Sequence, residues 1–148
     1  MLLPISFVAI VLTGLALVAP AAHLFELFNK IGMPENEYFI VQKVYNGWWI
    51  VGFFLPAAFV ANLALAYAAR DDRTTCWLAV LAAALIAANL AIFFLWTQPA
   101  NSATSNWTFR PENWHSLRQQ WEYSHAVNAA VVLVAFCAAT IASLRARS

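Results

Sequence analysis

Residues 76–96 read CWLAVLAAALIAANLAIFFLW, a run with no charged side chain. About 20 apolar residues are what a helix needs to cross the hydrocarbon of a bilayer. In lipid, the backbone must satisfy its own hydrogen bonds, so such a run reads as a helix rather than a lone strand. Ala82, Ala83, Ala84, Ala87 and Ala88 crowd its middle, and small residues let neighbouring membrane helices approach closely.

Three more runs of the same kind lie on either side, at about 2–22, 48–69 and 126–144, and none carries a charge. The second holds Gly52 and Pro56, which membrane helices tolerate and which predict a kink. The whole chain agrees with this reading. It has 148 residues, 63% hydrophobic and 10% charged, with a mean hydropathy of +0.67. Soluble domains carry roughly 25% charged residues. Eight Lys/Arg and seven Asp/Glu are too few to clothe a soluble enzyme, and no basic patch suggests a nucleic-acid partner. Cys76 and Cys137 lie in apolar segments without CxxC or zinc spacing, and read as small hydrophobes. The expectation is one all-α domain over 1–148: an integral membrane, antiparallel four-helix bundle in a lipid bilayer.

The connections are unequal. Residues 70–75, Arg-Asp-Asp-Arg-Thr-Thr, make a tight turn, whereas 23–47 and 97–125 are long and emerge on the opposite face. Arg70, Arg73, Arg145 and Arg147 fall on the short-turn side; Lys30, Lys43, Arg110 and Arg118 fall on the other. The numbers tie, but the first set hugs the span ends, which places the termini in the cytoplasm by the positive-inside rule. The first run ends in Ala19-Pro20-Ala21-Ala22, small residues of the cleavage-site kind. It lacks the basic start of a signal peptide, and we read it as a span.

Polar residues gather where the first and fourth runs meet the long loops. The first ends His23-Leu-Phe-Glu26 and the fourth is preceded by Glu122-Tyr-Ser-His125. Residues three apart share a helix face, and antiparallel helices bring these two ends to one level, so two His and two Glu converge. Four readings stay open: a polar network lining a pocket; a metal site of His23, Glu26, Glu122 and His125, suited to iron, zinc or manganese; haem between His23 and His125; and solvated helix ends.

Before the fourth run, Trp114, Arg118, Trp121 and His125 recur at spacings of four, three and four, one helical stripe. Pro111 and Glu112 suit the first turn of a helix, so the fourth helix is expected to run from Pro111 to about Ser143 with Arg118 between two indoles. The rival reading is an interfacial aromatic belt. In the first long loop, Pro34-Glu-Asn-Glu37 starts an amphipathic helix that carries Tyr38, Gln42, Tyr45, Trp48 and Trp49 at helical spacing. Gln42 and Tyr45 then present polar groups at the bundle top. Asn101 follows the third run and either joins the same pocket or ends the helix. Asn62, Asn89 and Asn128 inside the runs read as interhelical glue.

In order, His23-Leu-Phe-Glu26, Tyr38…Gln42…Tyr45…Gly47-Trp48, Thr97-Gln-Pro-Ala-Asn101 and Trp114-x3-Arg118-x2-Trp121-x3-His125 resemble the DUF1772 family of small four-span membrane proteins, related to the anthrone oxygenases. The resemblance implies oxygen insertion at an activated aromatic methylene without an added cofactor, and makes Asn101, Trp114, Arg118, Trp121 and His125 the pocket residues. The reading it supports is a membrane oxidoreductase. A lipophilic aromatic substrate stacks on Trp114 or Trp121, and His125 or His23, poised by Glu122 or Glu26, acts as base. Arg118 holds the resulting anion. The alternative is a non-enzymatic accessory or structural subunit of a membrane complex, or a homo-oligomer, in which the same residues are anchors and partner contacts. The absence of charge within the runs argues against an ion path.

Overall fold

The structure is a computed structural model and describes residues 2–146; Arg147, counted above with the short-turn side, lies outside them. All the regular structure among the described residues is helical. Helix α1 is Leu2–Lys30, α2 is Glu35–Val41, α3 is Phe54–Ala68, α4 is Arg73–Ile92, α5 is Gln98–Ala103 and α6 is Trp114–Arg145. Two 3-10 segments, Gln42–Tyr45 and Trp48–Phe53, join α2 to α3, and a π turn, Phe93–Thr97, joins α4 to α5. Four stretches are long and apolar enough to cross a membrane: Leu2–Lys30, Trp48–Ala68, Arg73–Ala103 and Trp114–Arg145. These are the four expected runs, the first, third and fourth extended into the neighbouring loops. They pack as a four-helix bundle in which α1 lies against α3 and α6, and α4 against the same two.

Small side chains let the helices meet. Ala9, Ala61, Ala66, Ala79 and Ala142 pack around Leu65 at one level; Ala16, Ala58 and Ala135 surround Ile86 and Val132 at the next; Ala82, Ala138 and Ala139 form a third group. Close backbone approach, with its many weak dispersion contacts, replaces the hydrophobic drive that is missing between helices already in lipid. One amide bridges helices as expected: Asn62 Nδ2 donates to Thr13 Oγ1 at 2.9 Å. Asn128 is buried with its side-chain oxygen unpartnered, so that oxygen is not interhelical glue here. At the short turn, Asp72 caps α4, accepting from the backbone N–H groups of Thr74 and Thr75.

Three local expectations need correction. Helix α6 starts at Trp114, not Pro111. The Pro111 carbonyl accepts the Trp114 N–H at 3.1 Å in a turn, and i→i−4 bonding begins only where Leu117 N–H reaches the Asn113 carbonyl. The run from Tyr38 to Trp49 is not one helix. It breaks at Gly47, whose φ of +89° is open to glycine at little cost. The expected kink at Gly52 and Pro56 is instead a 3-10 start to the second span. Pro56 has no N–H for the carbonyl four residues back, that of Gly52. Pro99 likewise cannot serve Leu95, and the ladder before it runs as the π turn.

Candidate functional site

Every titratable group the sequence singled out lies at the loop-bearing end, but the pairing differs from the HxxE spacing. The two histidines face each other, with ring centroids of His23 and His125 4.0 Å apart. Tyr45, Trp48 and Trp121 surround His23 at 4.4, 5.9 and 4.7 Å, and Trp121 also touches His125 at 4.3 Å. His23 is buried and its Nδ1 has no hydrogen-bond partner. Among the described residues no carboxylate bonds to either ring.

The two glutamates meet instead at Lys30, one turn beyond Glu26 on α1. Lys30 Nζ lies 3.1 Å from Glu122 Oε1 and 3.8 Å from Glu26 Oε2. Glu122 and Lys30 are 0% and 1% exposed, whereas the Glu26 side chain is 42% exposed. Lys30 also donates to the Tyr45 hydroxyl at 3.0 Å, and Tyr45 in turn donates to Glu26. The ammonium rests 4.4 Å from the Tyr45 ring centre and 4.6 Å from that of Trp121, where the negative faces of the rings favour a cation. Burying either charge alone is costly, and the pair holds only because each meets the other.

Helix α2 supplies the outer wall. Tyr38 donates to Glu122 Oε1 at 3.0 Å and accepts from Gln42 Nε2. Burial, and then the Glu122 carboxylate, push the Tyr38 hydroxyl well above the ordinary phenol range, so it stays a neutral donor. Glu122 Oε2 and Gln42 Oε1 are buried without partners. Unsatisfied buried acceptors are uncommon, and two of them sit here around one tyrosine.

The other expected site residues divide. Asn101 accepts from Trp121 Nε1 at 2.8 Å, fixing that indole against the histidines. Trp114 and Trp121 are both buried on α6. Arg118 does not lie between two indoles: its guanidinium is 4.7 Å from the Trp114 ring and 5.3 Å from Tyr38, and Lys30 is the cation at Trp121. Arg118 Nη1 donates to the Met33 carbonyl at 2.7 Å, tying the α1–α2 loop to α6. Among the described residues no three His, Cys, Asp or Glu side chains form a group fit to hold a metal ion; the carboxylates turn to Lys30 and Tyr45, away from the histidines.

Two participants were not singled out in the sequence. Lys30 stands four residues after Glu26 and seven after His23, on the same helical stripe, and that spacing was the signal. Trp107 is buried against Tyr38, Phe39 and Trp121. It arrives through three successive left-handed residues, Ser105, Asn106 and Trp107, which local sequence does not favour. Two clefts, of about 350 and 230 Å³, lie elsewhere: one beside the short turn, among Ala68, Asp72 and Ala146, the other between Ile5 and Ala61. Comparison with protein-family models, with curated proteins and with solved structures finds no match for this chain.

Proposed function

We propose that this integral membrane protein is an oxidoreductase that takes a proton from a lipophilic aromatic substrate at its loop-bearing end, in the manner of the anthrone oxygenases it resembles. The observation that carries the reading is a pair of unpartnered polar atoms, His23 Nδ1 and Glu122 Oε2, buried beside closely packed rings at the edge of the bilayer. A general base needs an available lone pair and a substrate held within reach; the rings of Trp48, Trp121 and Tyr45 supply flat apolar surface for an aromatic guest. A bundle with an apolar exterior delivers such a guest from the lipid itself.

Proton loss at an activated methylene leaves an electron-rich carbanion. Reaction with one O₂ then converts the methylene to a carbonyl and releases one water, the two methylene hydrogens leaving with one oxygen atom. The rings fill the space they surround, so a guest has to part them. The wall that yields most readily is the pair of 3-10 segments that carry Tyr45 and Trp48, which meet across Gly47 and have poorer hydrogen-bond geometry than an α-helix.

Oxygen uptake by the purified protein in lipid nanodiscs, offered a panel of anthrones and hydroquinones, tests this. Wild type is expected to consume one O₂ per carbonyl formed from an anthrone methylene. His23→Ala, His125→Ala and Glu122→Gln are each measured, and at least one is expected to lose about 10²–10⁴-fold, the range of a general base. Turnover at the wild-type rate by all three, or no turnover by wild type, refutes the proposal.

A further inference from the structure

Four side chains at this end form an unbroken chain from the buried interior to the surface. Glu122 Oε1 lies 3.1 Å from Lys30 Nζ; Lys30 donates to the Tyr45 hydroxyl at 3.0 Å; Tyr45 donates to Glu26. Exposure rises along it, from 0% at the Glu122 side chain to 42% at Glu26. The two ends have different chemistry. At the inner end Glu122 Oε2 is buried and without a partner, and at the outer end Glu26 is partly exposed. Ionisable groups buried within a membrane-spanning helix bundle are costly, and where they occur they commonly carry protons or substrate.

We propose that Glu122, Lys30, Tyr45 and Glu26 are a proton relay, with Glu122 its inlet and Glu26 its outlet. The inference rests on the proton-abstracting site proposed above and says where that proton goes. The orientation of the bonds suits the task, because Tyr45 accepts from the ammonium while donating outward. Starting from protonated Glu122 and ionised Glu26, Glu122 passes its proton to Lys30 as Lys30 passes one to the Tyr45 oxygen and Tyr45 passes its phenolic proton to Glu26. Three O–H or N–H bonds break and three form. Glu122 is again a carboxylate, Lys30 an ammonium and Tyr45 a phenol, and Glu26 carries one proton, which it yields to water. No net charge is left in the interior. The groups facing Glu26 are Lys30 on its own helix, one turn on, and Tyr45 from the 3-10 segment; Glu122 faces it from α6 across Lys30.

That proton is balanced by one taken up when the peroxide anion collapses to carbonyl and water, so its transient release to bulk water, followed by stopped flow with a pH-indicator dye as an anthrone is mixed with the protein in nanodiscs, tests the relay beside oxygen uptake. Glu26→Ala removes the outlet and is expected to slow proton release and turnover by at least about tenfold. Added imidazole, a small diffusible base, is expected to restore most of the loss, which repair of a merely structural fault would not do. Tyr45→Phe breaks the chain one link further in and is expected to slow release likewise, while Glu26→Asp keeps an outlet and retains most of the rate. Release at the wild-type rate by both Glu26→Ala and Tyr45→Phe, or a Glu26→Ala loss that imidazole leaves untouched, overturns the relay and leaves the proposed function standing. A wild-type protein that neither releases a proton nor consumes oxygen overturns the proposed function, and the relay with it.

Discussion

Around Ala79, Ala82 and Ala139 the helices meet through side chains of a single carbon; around Trp121 and Lys30 they are bridged by rings and a buried ion pair. Both regions belong to the same bundle and involve α1, α4 and α6 or their extensions. The alanine region has little to do beyond packing, and its cohesion comes from close approach. The loop-bearing region holds charges that a purely structural core would replace with apolar groups. Glu122 and Lys30 are costly to bury unless each meets the other, and the two regions should respond differently to substitution.

The largest difference is expected at the ion pair. Lys30→Met leaves Glu122 buried without its cation and should cost about 3–5 kcal/mol. The double replacement Lys30→Met with Glu122→Met removes both charges and should regain most of that stability, since apolar substitutes for a buried pair are often neutral. Unfolding titrations of the three proteins in mixed micelles measure both effects. If the double variant is as unstable as the single, the pair is a packing element like the alanines and the contrast between the regions fails.

A smaller loss is expected in the alanine region, with the opposite chemistry. Ala139→Leu adds bulk where the side chain is 0% exposed and should cost about 1–3 kcal/mol by overpacking, with the proposed oxygen uptake of the folded fraction preserved. The same titration, paired with activity per folded molecule, checks it.

The smallest effect is at the short turn. The Thr75 hydroxyl, foremost among its hydrogen-bond donors, holds the Asp72 carboxyl below its ordinary value of 3.8. A carboxyl whose pKa is lower folded than unfolded stabilises the fold fully above the unfolded value. It loses that contribution as pH falls through the folded one. The α4 cap should therefore be intact at neutral pH and weaken only below about pH 4. Asp72→Asn, which cannot titrate, should flatten that part of the thermal-stability profile, while Lys30 and Glu122 variants leave it in place.

The bundle was legible because lipid leaves a charge-free run of about 20 residues little choice but a helix. The level at which His23, Glu26, Glu122 and His125 gather was legible too, since it follows from helical spacing and antiparallel order. Their partners were not. A spacing of three fixes the face of a helix but not which of two adjacent side chains a neighbouring cation will claim, and Lys30 claims both carboxylates. Lys30 itself, coming after an apolar run, reads like any interfacial lysine until Tyr38, Tyr45 and Trp121 are seen around it. Trp107 depends on a left-handed backbone that no hydrophobic period encodes. The start of α6 and the break at Gly47 follow local features, a turn after Pro111 and a left-handed glycine, which the helical spacing of the aromatic residues around them masks.

The proposed function requires an aromatic guest held between the histidines and the tryptophans at the loop-bearing end. Photo-crosslinking with a diazirine-bearing hydroquinone in nanodiscs, read by peptide mass spectrometry, tests it most directly. Labels are expected to concentrate on 23–30, 42–53 and 114–125, competed away by excess unlabelled hydroquinone. Labels spread along the lipid-facing helices, or concentrated at the short turn near Asp72, and indifferent to the competitor, would contradict it.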